Sequence, residues 1–158
     1  MKTIVISGSH SNIGKTSLAE EMLGGMRNWS ALKVTRVRAG SRCPRDNGCT
    51  ACSELNNDFD IIADEKIINK KDTDTARMKK AGAKKVIWLK ANTRGMKQGL
   101  KKSLSYLRGS EGVVIEGTSV LRYIKPSLAI FITGKDKTLR PAARLALKKA
   151  DIVYGISR

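Results

Sequence analysis

Lys15 and Thr16 stand at the end of Gly8-Ser9-His10-Ser11-Asn12-Ile13-Gly14-Lys15-Thr16-Ser17, a loop whose residue types suit the binding of a polyphosphate. A nucleoside triphosphate concentrates negative charge, and a loop opening a helix meets it with backbone amides and the positive end of the helix dipole. Ser9, His10, Ser11, Asn12, Ile13, Gly14, Lys15, Thr16 and Ser17 would form that cradle. Gly14 allows close approach of the backbone, Lys15 would reach the outer phosphates, and the Thr16 hydroxyl would hold a magnesium ion. The usual spacing has glycine where this chain has Ser9, and Gly8 lies one residue early. Ser9 lacks glycine's freedom at positive φ, so the start of the loop is expected to be built differently. The competing reading is an ordinary glycine turn capped by Ser11.

Glu116 is the second candidate. It closes the apolar run Gly112-Val113-Val114-Ile115 and precedes Gly117. A strand ending in an acid at the same sheet edge as the loop would set a carboxylate beside the magnesium, directly or through water.

A third group is chemically separate. Cys43, Cys49 and Cys52 are all the cysteines of the chain and fall in one irregular stretch, with Cys49-Thr50-Ala51-Cys52 as a chelating pair. Thiolates so spaced suit zinc or an iron-sulfur cluster, and Arg42 and Arg45 would favour the thiolate form. A further ligand would come from His10, Asp46 or a second subunit; a disulfide or reduced thiols are the alternatives.

The elements that must position these residues alternate. Thr3 to Ser7 reads as a buried strand and Leu18 to Leu23 as a helix ended by Gly24-Gly25. Trp29 to Arg38 reads as a strand whose basic residues Lys33, Arg36 and Arg38 bring positive charge toward its carboxyl end, which makes Arg36 and Arg38 candidate anion contacts. Residues 58–62 and then Lys66-Ile67-Ile68 read as short extended pieces, and Thr73 caps a helix from about Asp74 to Lys80 that Gly82 stops. Strand Val86 to Leu89, helix Thr93 to Leu107, strand Leu128 to Thr133, helix Thr138 to Lys149 and strand Ile152 to Ile156 complete the pattern. It predicts an α/β domain over residues 1–158, a mainly parallel sheet covered by helices on both faces as in P-loop NTPases, with an irregular cysteine-containing loop at about 39–57.

Composition narrows the partners. The 31 Lys and Arg against 14 Asp and Glu give a net charge of +17, which attracts polyanions. The basic residues are nevertheless spread along the chain and aromatic residues make up only 4%, which argues against a single-strand nucleic-acid binder needing stacking platforms. No apolar run is long enough to span a membrane and the first residues read as a strand rather than a signal peptide, so a cytoplasmic protein is expected.

Three motifs in order carry a resemblance. The loop ending Gly14-Lys15-Thr16, the segment Asp74-Thr75-Ala76-Arg77 leading to Ala81-Gly82-Ala83, and the strand closing on Glu116-Gly117 resemble the molybdopterin-guanine dinucleotide biosynthesis protein B (MobB) family. That family belongs to the P-loop class that includes metal-insertion GTPases and dethiobiotin synthetase. The resemblance implies a dimeric, magnesium-dependent GTP-binding protein with weak hydrolysis, assisting molybdenum cofactor maturation together with a cofactor-maturation partner. It favours GTP over ATP; the residues themselves leave the base open.

On this reading Lys15 stabilises phosphate charge and Thr16 and Glu116 organise magnesium. Asp74 completes the metal's water shell or orients the attacking water, and Arg77 is a second candidate contact to an anionic substrate. No residue is an obvious strong base, so turnover is expected to be slow. A maturation NTPase for another metal cofactor, using the cysteine loop, and an ATP-dependent small-molecule kinase or synthetase are the alternatives.

Overall fold

The structure is a computed structural model that describes residues 1–37, 55, 57–134 and 138–155. β1 (Lys2–Gly8) leads through a loop at 9–14 to α1 (Lys15–Gly25) and β2 (Trp29–Arg36). Then come β3 (Phe59–Ile62), α2 (Glu65–Ile68), α3 (Asp74–Lys80), β4 (Val86–Ala91) and α4 (Met96–Tyr106). β5 (Gly112–Glu116), a 3-10 turn at Thr118–Arg122, β6 (Leu128–Thr133), α5 (Pro141–Lys148) and β7 (Ile152–Gly155) follow. The strands form one sheet in the order β3-β4-β2-β5-β1-β6-β7. Every pairing is parallel except that of β3 with β4. The fold is therefore α/β with a mostly parallel sheet flanked by helices, as the alternating pattern predicts.

Alternation along each strand divides the core between two faces. Val5, Leu32, Val113, Ile115 and Phe131 pack with Met96 and Leu100 of α4 and Ala143 and Ala146 of α5. Ile6, Ala31, Val114 and Ile132 pack on the other face with Ala19 and Leu23 of α1 and Met78 of α3. β1 lies inside the sheet between β5 and β6, so the loop that leaves its buried carboxyl end is anchored on an interior strand.

Several boundaries differ from expectation. Lys66-Ile67-Ile68 is not extended but belongs to α2, because the Asp64 carboxylate accepts the amides of Lys66 at 2.8 Å and Ile67 at 3.3 Å and caps a helical turn. The helix expected from Thr93 begins at Met96, since the Asn92 side-chain carbonyl takes the amides of Arg94 and Gly95 and closes a turn first. The helix expected from Thr138 begins at Pro141, whose ring suits the first helical position and no later one. β2 ends at Arg36, and Arg38 and Ile156 lie outside the described residues. Thr73 caps α3 as expected, accepting the Ala76 amide, and Gly82 at φ 107 follows its end.

No helix among the described residues is long and apolar enough to cross a membrane.

Candidate functional site

The loop after β1 is shaped by which residues take the left-handed backbone. Asn12 (φ 63) and Gly14 (φ 90) do so, and Ser9 does not. Ser9 instead continues the ladder, its amide donating to the Ile132 carbonyl at 3.0 Å, so no glycine is required there. The close approach falls on Gly8: a Cβ at that position would lie 2.6 Å from Ile13 Cγ2 and 3.2 Å from the Ile132 carbonyl oxygen. Thr118 holds the same point, its hydroxyl accepting from the Gly8 amide and donating to the Gly8 carbonyl, each at 3.2 Å. The departure of the serine from the usual spacing is thus absorbed by moving the close contact back one residue.

Gly14 is the residue before α1, and no side chain caps the helix, so Ser11 is not the cap. The Lys15 ammonium folds back over the loop and donates to the His10 carbonyl at 2.7 Å. Burial, deepened by the nearby Lys33 charge and partly offset by Glu116 and Asp74, lowers the Lys15 pKa. The Ser9 hydroxyl pairs with His10 Nδ1 at 2.8 Å.

Thr16, in the first turn of α1, donates its hydroxyl to Glu116 Oε2 at 2.9 Å. Both are buried, Glu116 to 2% exposure. The other Glu116 oxygen, Oε1, accepts from the Lys33 ammonium at 2.6 Å, and that ammonium also donates to Asp74 Oδ2 at 2.5 Å. The register explains the meeting: Lys33 on β2 stands directly opposite Glu116 on β5. Alternation places both on the face covered by α1 and α3, and the Thr73 cap fixes the first turn of α3 that carries Asp74.

Burial works against the charged form of Lys33, but the Glu116 and Asp74 carboxylates outweigh it and raise the Lys33 pKa. Burial likewise opposes ionised Asp74, and the field and hydrogen bond of Lys33, with Thr16 and Arg77, hold its carboxyl below the usual range. Lys15, Lys33, Asp74 and Glu116 together form a cluster of balanced charge at the carboxyl edge of the sheet.

The donor set fits a hard divalent cation that arrives with phosphates. Such an ion takes one or two carboxylates, a hydroxyl and waters from the protein rather than a closed protein cage. Thr16 Oγ1, Glu116 and Asp74 supply those groups, and an ammonium already bridges the two carboxylates as a cation of the protein's own. Among the described residues no three His, Cys, Asp or Glu side chains gather into a metal site. Cys43, Cys49 and Cys52, with Arg42, Arg45 and Asp46, lie outside the described residues.

Other candidates have structural partners. Arg77 grips Glu20 through both Nε and Nη2, and Nη2 also reaches Ser17 Oγ at 3.2 Å, so it ties α3 to α1. Ser11 and Asn12, in the loop, and Ser17, in the first turn of α1, are exposed. Arg36 donates to Thr93 at 3.1 Å. Lys33 and Thr118 are the site residues that the motifs do not contain. A signal for Lys33 is present nonetheless, a charged residue between the buried apolar Leu32 and Val34. A cavity of about 610 Å³ lined by Phe59, Ile68, Lys85, Lys102 and Tyr106 runs along β3 and the start of β4, and none of Lys15, Thr16, Lys33, Asp74 or Glu116 lines it.

Comparison with protein-family models, with curated proteins and with solved structures gives no match to this chain.

Proposed function

We propose that the chain is a magnesium-dependent P-loop nucleoside triphosphatase with slow turnover. The observation that carries this reading is the Thr16 to Glu116 hydrogen bond, which joins the end of the phosphate-type loop to the acid ending the adjacent strand. A left-handed glycine before α1, a lysine folded over the loop and a buried carboxylate beside the threonine make up what a triphosphate with magnesium requires.

The loop amides and Lys15 would hold and neutralise phosphate oxygens. Bound magnesium would supply charge neutralisation on those oxygens. Thr16 and Glu116 would hold it, and Asp74, partly exposed at the start of α3, would orient a water. No described residue beside the loop is an obvious strong base, which supports slow turnover.

The MobB-like motif order supports GTP over ATP and a role in molybdenum cofactor maturation, as a homodimer with a cofactor-maturation partner. Phosphate release from GTP and ATP at single-turnover enzyme excess tests the reading. Slow, magnesium-dependent release that Lys15→Ala abolishes in a folded protein supports it. Binding without release in the presence of magnesium contradicts the hydrolytic part.

A further inference from the structure

Lys33 has a place in the site that no motif assigns to it. It is only 17% exposed along its side chain, and its ammonium lies within hydrogen-bond distance of two carboxylates that a divalent cation would also use. A cation entering between Asp74 and Glu116 meets a positive charge already there. Two cations held by the same pair of carboxylates repel each other, and more strongly in a partly buried site than in water. Replacing Lys33 by a neutral residue would leave the two carboxylates with Lys15 and with Arg77, whose charge is already paired with Glu20, an excess of negative charge that attracts a cation.

We propose that Lys33 makes divalent-metal binding conditional on nucleotide: its ammonium competes with the metal for Asp74 and Glu116, and a bound triphosphate, by offering Lys33 other oxygens, frees those carboxylates for the metal. The inference rests on the nucleotide-binding reading above and adds an order to it. The free ion is excluded, and the nucleotide and its metal enter together. Lys33 is on this account a positioning residue, acting through Glu116 and Asp74.

The test uses manganese chloride alone as a paramagnetic probe, with the full chain in metal-free buffer, and compares wild type with Lys33→Met and Lys33→Gln. Free manganese is measured by its EPR signal and protein stability by thermal unfolding. Wild type is expected to take up no manganese without nucleotide and to show no rise in Tm. Both variants are expected to bind manganese alone, at least about tenfold more tightly than wild type, with a rise in Tm. A variant that folds only once manganese is added supports the same conclusion. Manganese binding by wild type as tight as that of the variants overturns the proposal. So does a failure of both variants, folded or not, to respond to millimolar manganese. GTP and ATP titrations of wild type run in parallel: absence of nucleotide binding there removes the P-loop reading, whereas the manganese comparison tests the competition at Lys33 by itself.

Discussion

Glu116 is shared between two elements: Oε1 takes the Lys33 ammonium at 2.6 Å and Oε2 takes the Thr16 hydroxyl at 2.9 Å. Because Glu116 is only 2% exposed, neither of its oxygens has water as an easy substitute partner. The strand, the neighbouring strand and the loop helix are thereby bound through one carboxylate, and the stability of the fold is tied to the chemistry of the site.

Removing that carboxylate strands its partner. Glu116→Ala should leave Lys33 with Asp74 alone and cost about 3 kcal/mol of unfolding free energy, in the range found when one member of a buried ion pair is deleted. Glu116→Gln keeps the shape and one acceptor and should cost less. Denaturant unfolding of the two variants in EDTA measures the difference.

The cap of α3 connects stability to metal affinity. Thr73 Oγ1 accepts the Ala76 amide at 3.3 Å, and the next residue is Asp74. Thr73→Ala should destabilise the protein by about 1 kcal/mol. By loosening the first turn of α3, it should also weaken magnesium-supported nucleotide binding while leaving nucleotide binding in EDTA almost unchanged. Paired titrations with and without magnesium show whether both effects occur.

Stability should fall at both ends of the pH scale. The Asp74 pKa is depressed in the fold, so its contribution is complete above the unfolded carboxylate value of about 3.9 and is lost as pH falls through the lowered one. The Lys33 pKa is raised, so its contribution is complete below the unfolded lysine value of about 10.4 and is lost as pH rises through the higher one. Lys15 runs the other way: its lowered pKa means that folding opposes its charged form, a cost relieved as pH rises. Asp74→Asn should flatten the acid limb of a stability profile taken in EDTA, and an unchanged acid limb would remove Asp74 from this account.

Much of this arrangement is legible in the sequence because local rules and tertiary contacts agree. The apolar, β-branched run of β1 and the Gly14-Lys15-Thr16 ending require no long-range information, and Thr73 announces the start of α3 through its side chain. Glu116 reads as a site residue from its place at the end of an apolar strand. Lys33 does not read so, because its role depends on the register that sets it opposite Glu116, a pairing between residues far apart in the chain. The pairing of Arg77 is hidden for a related reason: the motif places it next to the site, and only the packing of α3 on α1 shows that Glu20 holds its guanidinium. Lys66 to Ile68 misled because three residues are too few for periodicity to separate strand from helix, and the Asp64 cap decides.

On the proposed function, the loop ending in Gly14-Lys15-Thr16 binds a nucleoside triphosphate with magnesium held through Thr16 and Glu116. Calorimetric titration of anaerobically prepared protein with GTP and with ATP, each with magnesium, tests it most directly, with Lys15→Ala and Thr16→Val beside wild type and elemental analysis of the same sample. Wild type is expected to bind both, GTP more tightly, with binding lost in folded Lys15→Ala and insensitive to magnesium in Thr16→Val. Failure of folded wild type to bind either nucleotide would contradict that function.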